Sequence, residues 1–107
     1  MNGVPEVSVH DLPADAVLVD VREHDEWSAG HVDGAVHVPL SEVPGRLGDL
    51  PEADPLYILC RSGNRSGRAA AWLNAQGIES VNVAGGMQAW AAAGKPMASD
   101  AGSPRVL

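Results

Sequence analysis

Five short runs rich in apolar and β-branched residues, at positions 7–9, 17–20, 36–38, 56–59 and 80–83, alternate with stretches of helical character. Val17-Leu18-Val19 and Tyr57-Ile58-Leu59 contain no charged member, the pattern of strands covered on both faces of a parallel sheet. Helices then belong on both faces, so the spacing predicts an α/β domain. Residues 25–29 form a short helix stopped by Gly30. Ser41 is placed to cap a helix running through Arg46 and Leu47 to about Leu50, with Pro44 tolerated only in its first turn. Residues 65–76 are rich in Ala and Leu, with Gly77 as terminator, and residues 87–93 repeat the pattern before Gly94-Lys95-Pro96. Residues 98–107 lack periodicity and are expected to be a loose tail, which leaves 1–97 as one domain.

A length of 107 residues suits one core, and 45% apolar with 20% charged residues is a globular balance. No run approaches the roughly 20 apolar residues of a membrane span, and the opening MNGVPEVSVHDL lacks the basic-then-apolar order of a signal peptide. A lone cysteine forms no internal disulfide, which agrees with a reducing, cytoplasmic setting. The net charge of −7 is uneven: residues 1–54 hold twelve acids against two arginines, and residues 55–107 hold five bases against two acids. Overall acidity argues against nucleic acid or an anionic membrane as partner. The local cluster Arg61, Arg65 and Arg68 beside Cys60 suits a small anion.

A lone cysteine is most often a small buried hydrophobe. Here the strand Leu56-Tyr57-Ile58-Leu59 runs straight into Cys60, then a tight polar loop, Arg61-Ser62-Gly63-Asn64-Arg65, then a helix. Ligand sites of open parallel sheets lie beyond the carboxyl ends of the strands, which is where Cys60 falls. Gly63 lets the loop curl, so that N–H groups of residues 61 to 65 converge on the sulfur. Those amides, the following helix start and the charges of Arg61 and Arg65 favour thiolate over thiol. Cys60 is therefore read as a nucleophile. Arg61 is the candidate to steer an anionic donor; Arg65 either contacts substrate or pairs with a carboxylate such as Asp20. Asp20, ending the second strand, is expected to fix the loop, and Arg22 to pair with Glu26 four residues on. His10, His24, His31 and His37 lack metal-site spacing, so no metal is expected. His31 is expected to bond to backbone, Trp27, Trp72 and Trp90 to pack, and Gly85-Gly86 to allow a close approach or only a tight turn.

Three segments in order resemble the rhodanese family of sulfurtransferases, over roughly residues 7 to 96. Asp20-Val21-Arg22-Glu23-His24-Asp25-Glu26-Trp27, followed by Gly30-His31-Val32-Asp33-Gly34-Ala35, fills the family's first signature. Cys60-Arg61-Ser62-Gly63-Asn64-Arg65-Ser66 is similar to its active-site loop, and Ala84-Gly85-Gly86-Met87-Gln88-Ala89-Trp90 to its closing G-G-x-x-x-W element. The resemblance implies a three-layer α/β/α domain with a five-stranded, mainly parallel sheet. It also implies a cycle in which Cys60 takes sulfane sulfur from a donor such as thiosulfate and yields it to cyanide, a thiol or a protein acceptor, with no cofactor.

Two rivals differ in chemistry. Phosphatases and arsenate reductases of related fold place five residues between Cys and Arg, whereas four separate Cys60 from Arg65, a loop better sized for a sulfur atom than for a phosphate. Non-catalytic modules of the same fold often lack the nucleophile, which is present here.

Overall fold

The computed structural model describes residues 4–107; residues 1–3, counted within the expected domain, lie outside the described residues. Strands β1 (Glu6–Ser8), β2 (Leu18–Asp20), β3 (Val36–His37), β4 (Leu56–Leu59) and β5 (Ser80–Ala84) form one sheet in the order β1-β5-β4-β2-β3. Every neighbouring pair is parallel. The two all-apolar runs lie side by side in the middle, with Val19 opposite Ile58 and Asp20 opposite Leu59.

Alternation along these strands divides the core in two. Val19, Val21, Leu56, Ile58 and Cys60 point to one face, where Val43, Ala69, Ala70 and Leu73 cover them. Leu18, Leu59 and Val83 point to the other, against Val32, Met87 and Trp90. Helix α2 (Asn64–Ala75) and the stretch Leu40–Asp49 therefore lie on the first face, and helix α3 (Gly86–Ala92) on the second. Helix α1 (His24–Ala29) follows β2 and ends at Gly30, as the sequence predicts. This is the expected three-layer α/β arrangement.

Leu40–Asp49 departs from expectation. It is 3-10 rather than α-helical, it starts after Pro39 with no side-chain cap from Ser41, and it breaks at Arg46 (φ −127°, ψ 30°). Pro44, Gly45 and Gly48 within ten residues are too poor in helix propensity to sustain an α-helix. Residues 99–107 carry no helix or strand, but the segment read as a loose tail is tied to the body. Ala98 pairs antiparallel with His31, the Asp100 and Arg105 amides donate to Ser28 O (3.0 Å) and Ala29 O (2.9 Å), and Val106 packs on the second core cluster.

Candidate active site

Cys60 continues the inward row Leu56, Ile58 one residue past β4, so the alternation that buries those side chains also buries its sulfur: Cys60 is 1% exposed. The loop turns at Gly63, whose φ of +104° only glycine adopts without strain. That turn aims the Gly63 N–H at Sγ (3.0 Å). The Ser66 hydroxyl, on the first turn of α2, reaches Sγ at 3.2 Å. Burial pushes the Cys60 thiol up, but the Ser66 hydroxyl and the amides of Ser66, Gly63 and Ser62 favour the thiolate more, so its pKa lies below that of an ordinary thiol. The expected ring of amides from residues 61 to 65 is thus narrower, and Ser66, beyond the expected loop residues, adds a hydroxyl to it.

The loop is also held from below. The first turn of α3 spends its free amides on loop carbonyls, Met87 N–H on Cys60 O (2.8 Å) and Gln88 N–H on Arg61 O (2.9 Å). That approach has no room for a side chain at Gly86, where a Cβ would overlap Cys60 O. Of the two readings of Gly85-Gly86, the close approach is the observed one.

The charged residues are paired differently from the sequence expectation. Asp20 and Arg22, both 0% exposed, pair with each other: Arg22 Nη2 meets Asp20 Oδ2 at 2.7 Å and Nε meets Oδ1 at 2.9 Å. Arg22 therefore does not pair with the Glu26 carboxylate, but donates to the Glu26 (3.3 Å) and Gly30 (2.8 Å) carbonyls and so ties α1 to β2. Asp20, turned to Arg22, is a support for that anchor rather than for the cysteine loop. The Glu26 carboxylate takes Arg65 in a two-pronged pair, 2.7 and 2.8 Å, and accepts the Glu23 N–H at 3.0 Å. Arg65 is thus a structural bridge from α2 to α1, 39 positions away in sequence, which no local spacing reveals. Arg61 Nε donates to Leu107 O (2.7 Å), and Asn64, the first residue of α2, is exposed. His31 Nδ1 bonds to Trp27 O (2.7 Å), and the Trp27 ring stacks between His31 and His37.

The Arg65 hydrogen bonds hold Glu26 at about 2, against an ordinary 4.5, with burial opposing. Because the folded value is depressed, the stabilisation is complete above pH 4.5 and is lost as the pH falls towards 2. With both side chains partly exposed it amounts to about 1–2 kcal/mol. Urea titrations of wild type and Glu26→Gln are expected to differ by that amount at pH 6 and to converge only as the pH approaches 2; an equal gap at both would contradict the assignment.

The fold and site together are those of an open parallel α/β domain with a single cysteine in a hydrogen-bonding loop at a central strand end, the position where ligand sites of such sheets lie. Residues 8–93 match the rhodanese-like domain, and the chain belongs to that family. It is similar to a sulfurtransferase of Allochromatium vinosum, 38% identical over 89 residues and covering 82% of this chain and 83% of that one. YrkF of Bacillus subtilis is 40% identical over 96 residues, 83% of this chain, and the chain spans only 52% of that protein's length. Among solved structures, a rhodanese-related protein of Thermoplasma volcanium superposes with a TM-score of 0.81 at 29% identity, over 88% of this chain and 97% of that one. Relatives named as sulfurtransferases place the chain in a sulfurtransferase family.

Proposed function

We propose that the protein is a sulfurtransferase that moves sulfane sulfur from a donor such as thiosulfate to a thiol, a protein thiol or cyanide, through a persulfide on Cys60. The observation that carries this reading is the Cys60 sulfur at the end of β4, with the Gly63 amide 3.0 Å away. In the first half-reaction the Cys60 thiolate attacks the outer sulfur of thiosulfate. The new S–S bond forms as the old one breaks, and sulfite leaves with the bonding electrons. In the second, the acceptor attacks the outer sulfur of the persulfide and the Cys60 thiolate leaves. The Gly63, Ser62 and Ser66 donors that favour the thiolate suit both the persulfide anion and the departing thiolate. Arg61, exposed at the loop tip, is the residue proposed to meet the anionic donor. Asn64 flanks the mouth of the loop, and Arg65 with the Asp20 and Arg22 pair supports the site. With one cysteine in the chain, the acceptor comes from outside, and a free thiol nucleophile suits the reducing cytoplasm.

Engagement of Arg65 by Glu26 speaks against an oxyanion enzyme, which needs that guanidinium turned into the loop. The reading is tested by intact-mass measurement after incubation with thiosulfate and, separately, with a small-molecule persulfide. A gain of one sulfur atom, lost on adding cyanide and absent in Cys60→Ser, is expected. No gain from either donor, with Cys60 still open to alkylation, would overturn it.

A further inference from the structure

Midway along strand β5, between Val81 and Val83, Asn82 is a buried polar residue, 2% exposed. Its amide is fully used. Nδ2 donates to Glu6 Oε2 of β1 (2.8 Å) and to Gly63 O (3.1 Å), and Oδ1 accepts from the Ser66 hydroxyl (2.6 Å). Gly63 and Ser66 both place donors within hydrogen-bond distance of the cysteine sulfur, at 3.0 and 3.2 Å. Asn82 therefore grips both of them.

The Ser66 hydroxyl has one hydrogen and two acceptors within reach, Asn82 Oδ1 at 2.6 Å and Cys60 Sγ at 3.2 Å. It cannot serve both at full strength. While Cys60 is a neutral thiol, the hydrogen sits on Asn82 and the S–H points to Ser66 Oγ. When the sulfur becomes anionic, the hydrogen turns to the sulfur and Asn82 Oδ1 is left buried without a donor, which costs free energy. Rotating the amide would relieve this, because Nδ2 would then donate to Ser66 Oγ. The rotation is blocked, since it would set Oδ1 against the Glu6 carboxylate and the Gly63 carbonyl. The Glu6 carboxylate, charged and the nearer of the two acceptors, is the stronger part of that lock and the part a side-chain substitution removes.

We propose that Glu6 and Asn82 are positioning residues that decide where the Ser66 hydroxyl hydrogen lies, and thereby restrain the Cys60 sulfur from becoming fully anionic. An attacking thiol works best with a pKa near ambient pH, since a more acidic one is a weaker nucleophile, so such restraint tunes the nucleophile rather than weakening it. The proposal rests on the sulfurtransferase reading for its purpose, but not for its test.

The test is the pH profile of Cys60 alkylation by iodoacetamide, which reads the cradle whether or not the cysteine accepts sulfur. Glu6 is exposed on an edge strand, so Glu6→Gln keeps the fold while removing the lock. Its alkylation midpoint is expected to fall by about half to one pH unit, the size of one hydrogen bond. Arg65, whose charge is felt at Cys60, and Arg61 at the loop tip are kept in every variant. The same substitution is then made in Ser66→Ala, which lacks the hydrogen being steered, and no further shift is expected there. An unchanged midpoint in Glu6→Gln would overturn the proposal. So would an equal fall in the Ser66→Ala background, since simple removal of a negative charge acts without the hydroxyl. Thermal melts of the three variants confirm that each midpoint belongs to a folded protein.

Discussion

Replacing Arg22 by methionine is expected to destabilise the protein by about 3–5 kcal/mol, the largest effect of any single side chain. Arg22 and Asp20 are both 0% exposed and hydrogen-bonded through Nε and Nη2. Without the guanidinium, Asp20 keeps only the backbone amide of residue 22 as donor (3.1 Å), and a carboxylate is left charged in the core. The carbonyls of Glu26 and Gly30 lose their guanidinium donors as well, which loosens α1, the helix that carries Glu26 to Arg65. Urea denaturation at pH 7 measures the cost. The double variant Asp20→Leu with Arg22→Met is expected to recover a large part of it, because neither charge is then buried alone. A single variant within 1 kcal/mol of wild type would show that the pair contributes about as little as an exposed one.

Gly86→Ala carries the second large effect, and here the effect reaches the chemistry. The added Cβ would overlap Cys60 O and lie 2.9 Å from both C and O of Arg61, at a φ of +55°. Backbone on both sides cannot give way as a side-chain end can, so α3 must move off the loop and the Met87 and Gln88 bonds to it break. The expected cost is about 2–3 kcal/mol from strain and lost hydrogen bonds. Sulfur loading is expected to slow by on the order of tenfold or more, because the Cys60 carbonyl that sets the sulfur's position is displaced. Gly34→Ala is the control: its φ is +87° with nothing within 4 Å, so it isolates the backbone cost, and its loading rate is expected to be that of wild type. A slow Gly34→Ala would assign the loss in Gly86→Ala to general destabilisation.

Much of this architecture was legible in one dimension, for a physical reason. Strand and helix positions follow from periodicities of two and 3.6, which adjacent residues impose on each other, and β4 occupies the residues that pattern predicts. The Cys60 loop was legible on the same ground, since a strand, a glycine-containing turn and a helix start are consecutive. The stretch Leu40–Asp49 departs from the helix that Ser41 and Leu47 suggest, because Pro44 and two glycines outweigh a cap residue and one leucine.

What the chain order could not disclose are the pairings between elements. Arg22 has four carboxylates within four positions along the chain, Asp20, Glu23, Asp25 and Glu26, and spacing favours Glu26, whereas burial at the end of β2 leaves Asp20 as the partner. Arg65 was free to choose Asp20 or the substrate until the packing of α2 beside α1 brought Glu26 to 2.7 Å. In sequence Asn82 is only a polar residue within a strand, and the β1-β5-β4 order alone sets it between Glu6 and the loop that holds Cys60. By itself the sequence determined the layers of the fold and the loop that carries Cys60, because those depend on neighbours along the chain. The tertiary structure alone decided which charge meets which and which polar side chain restrains the sulfur, because such contacts form between strand ends and helix turns far apart in the chain, and burial rather than spacing selects them.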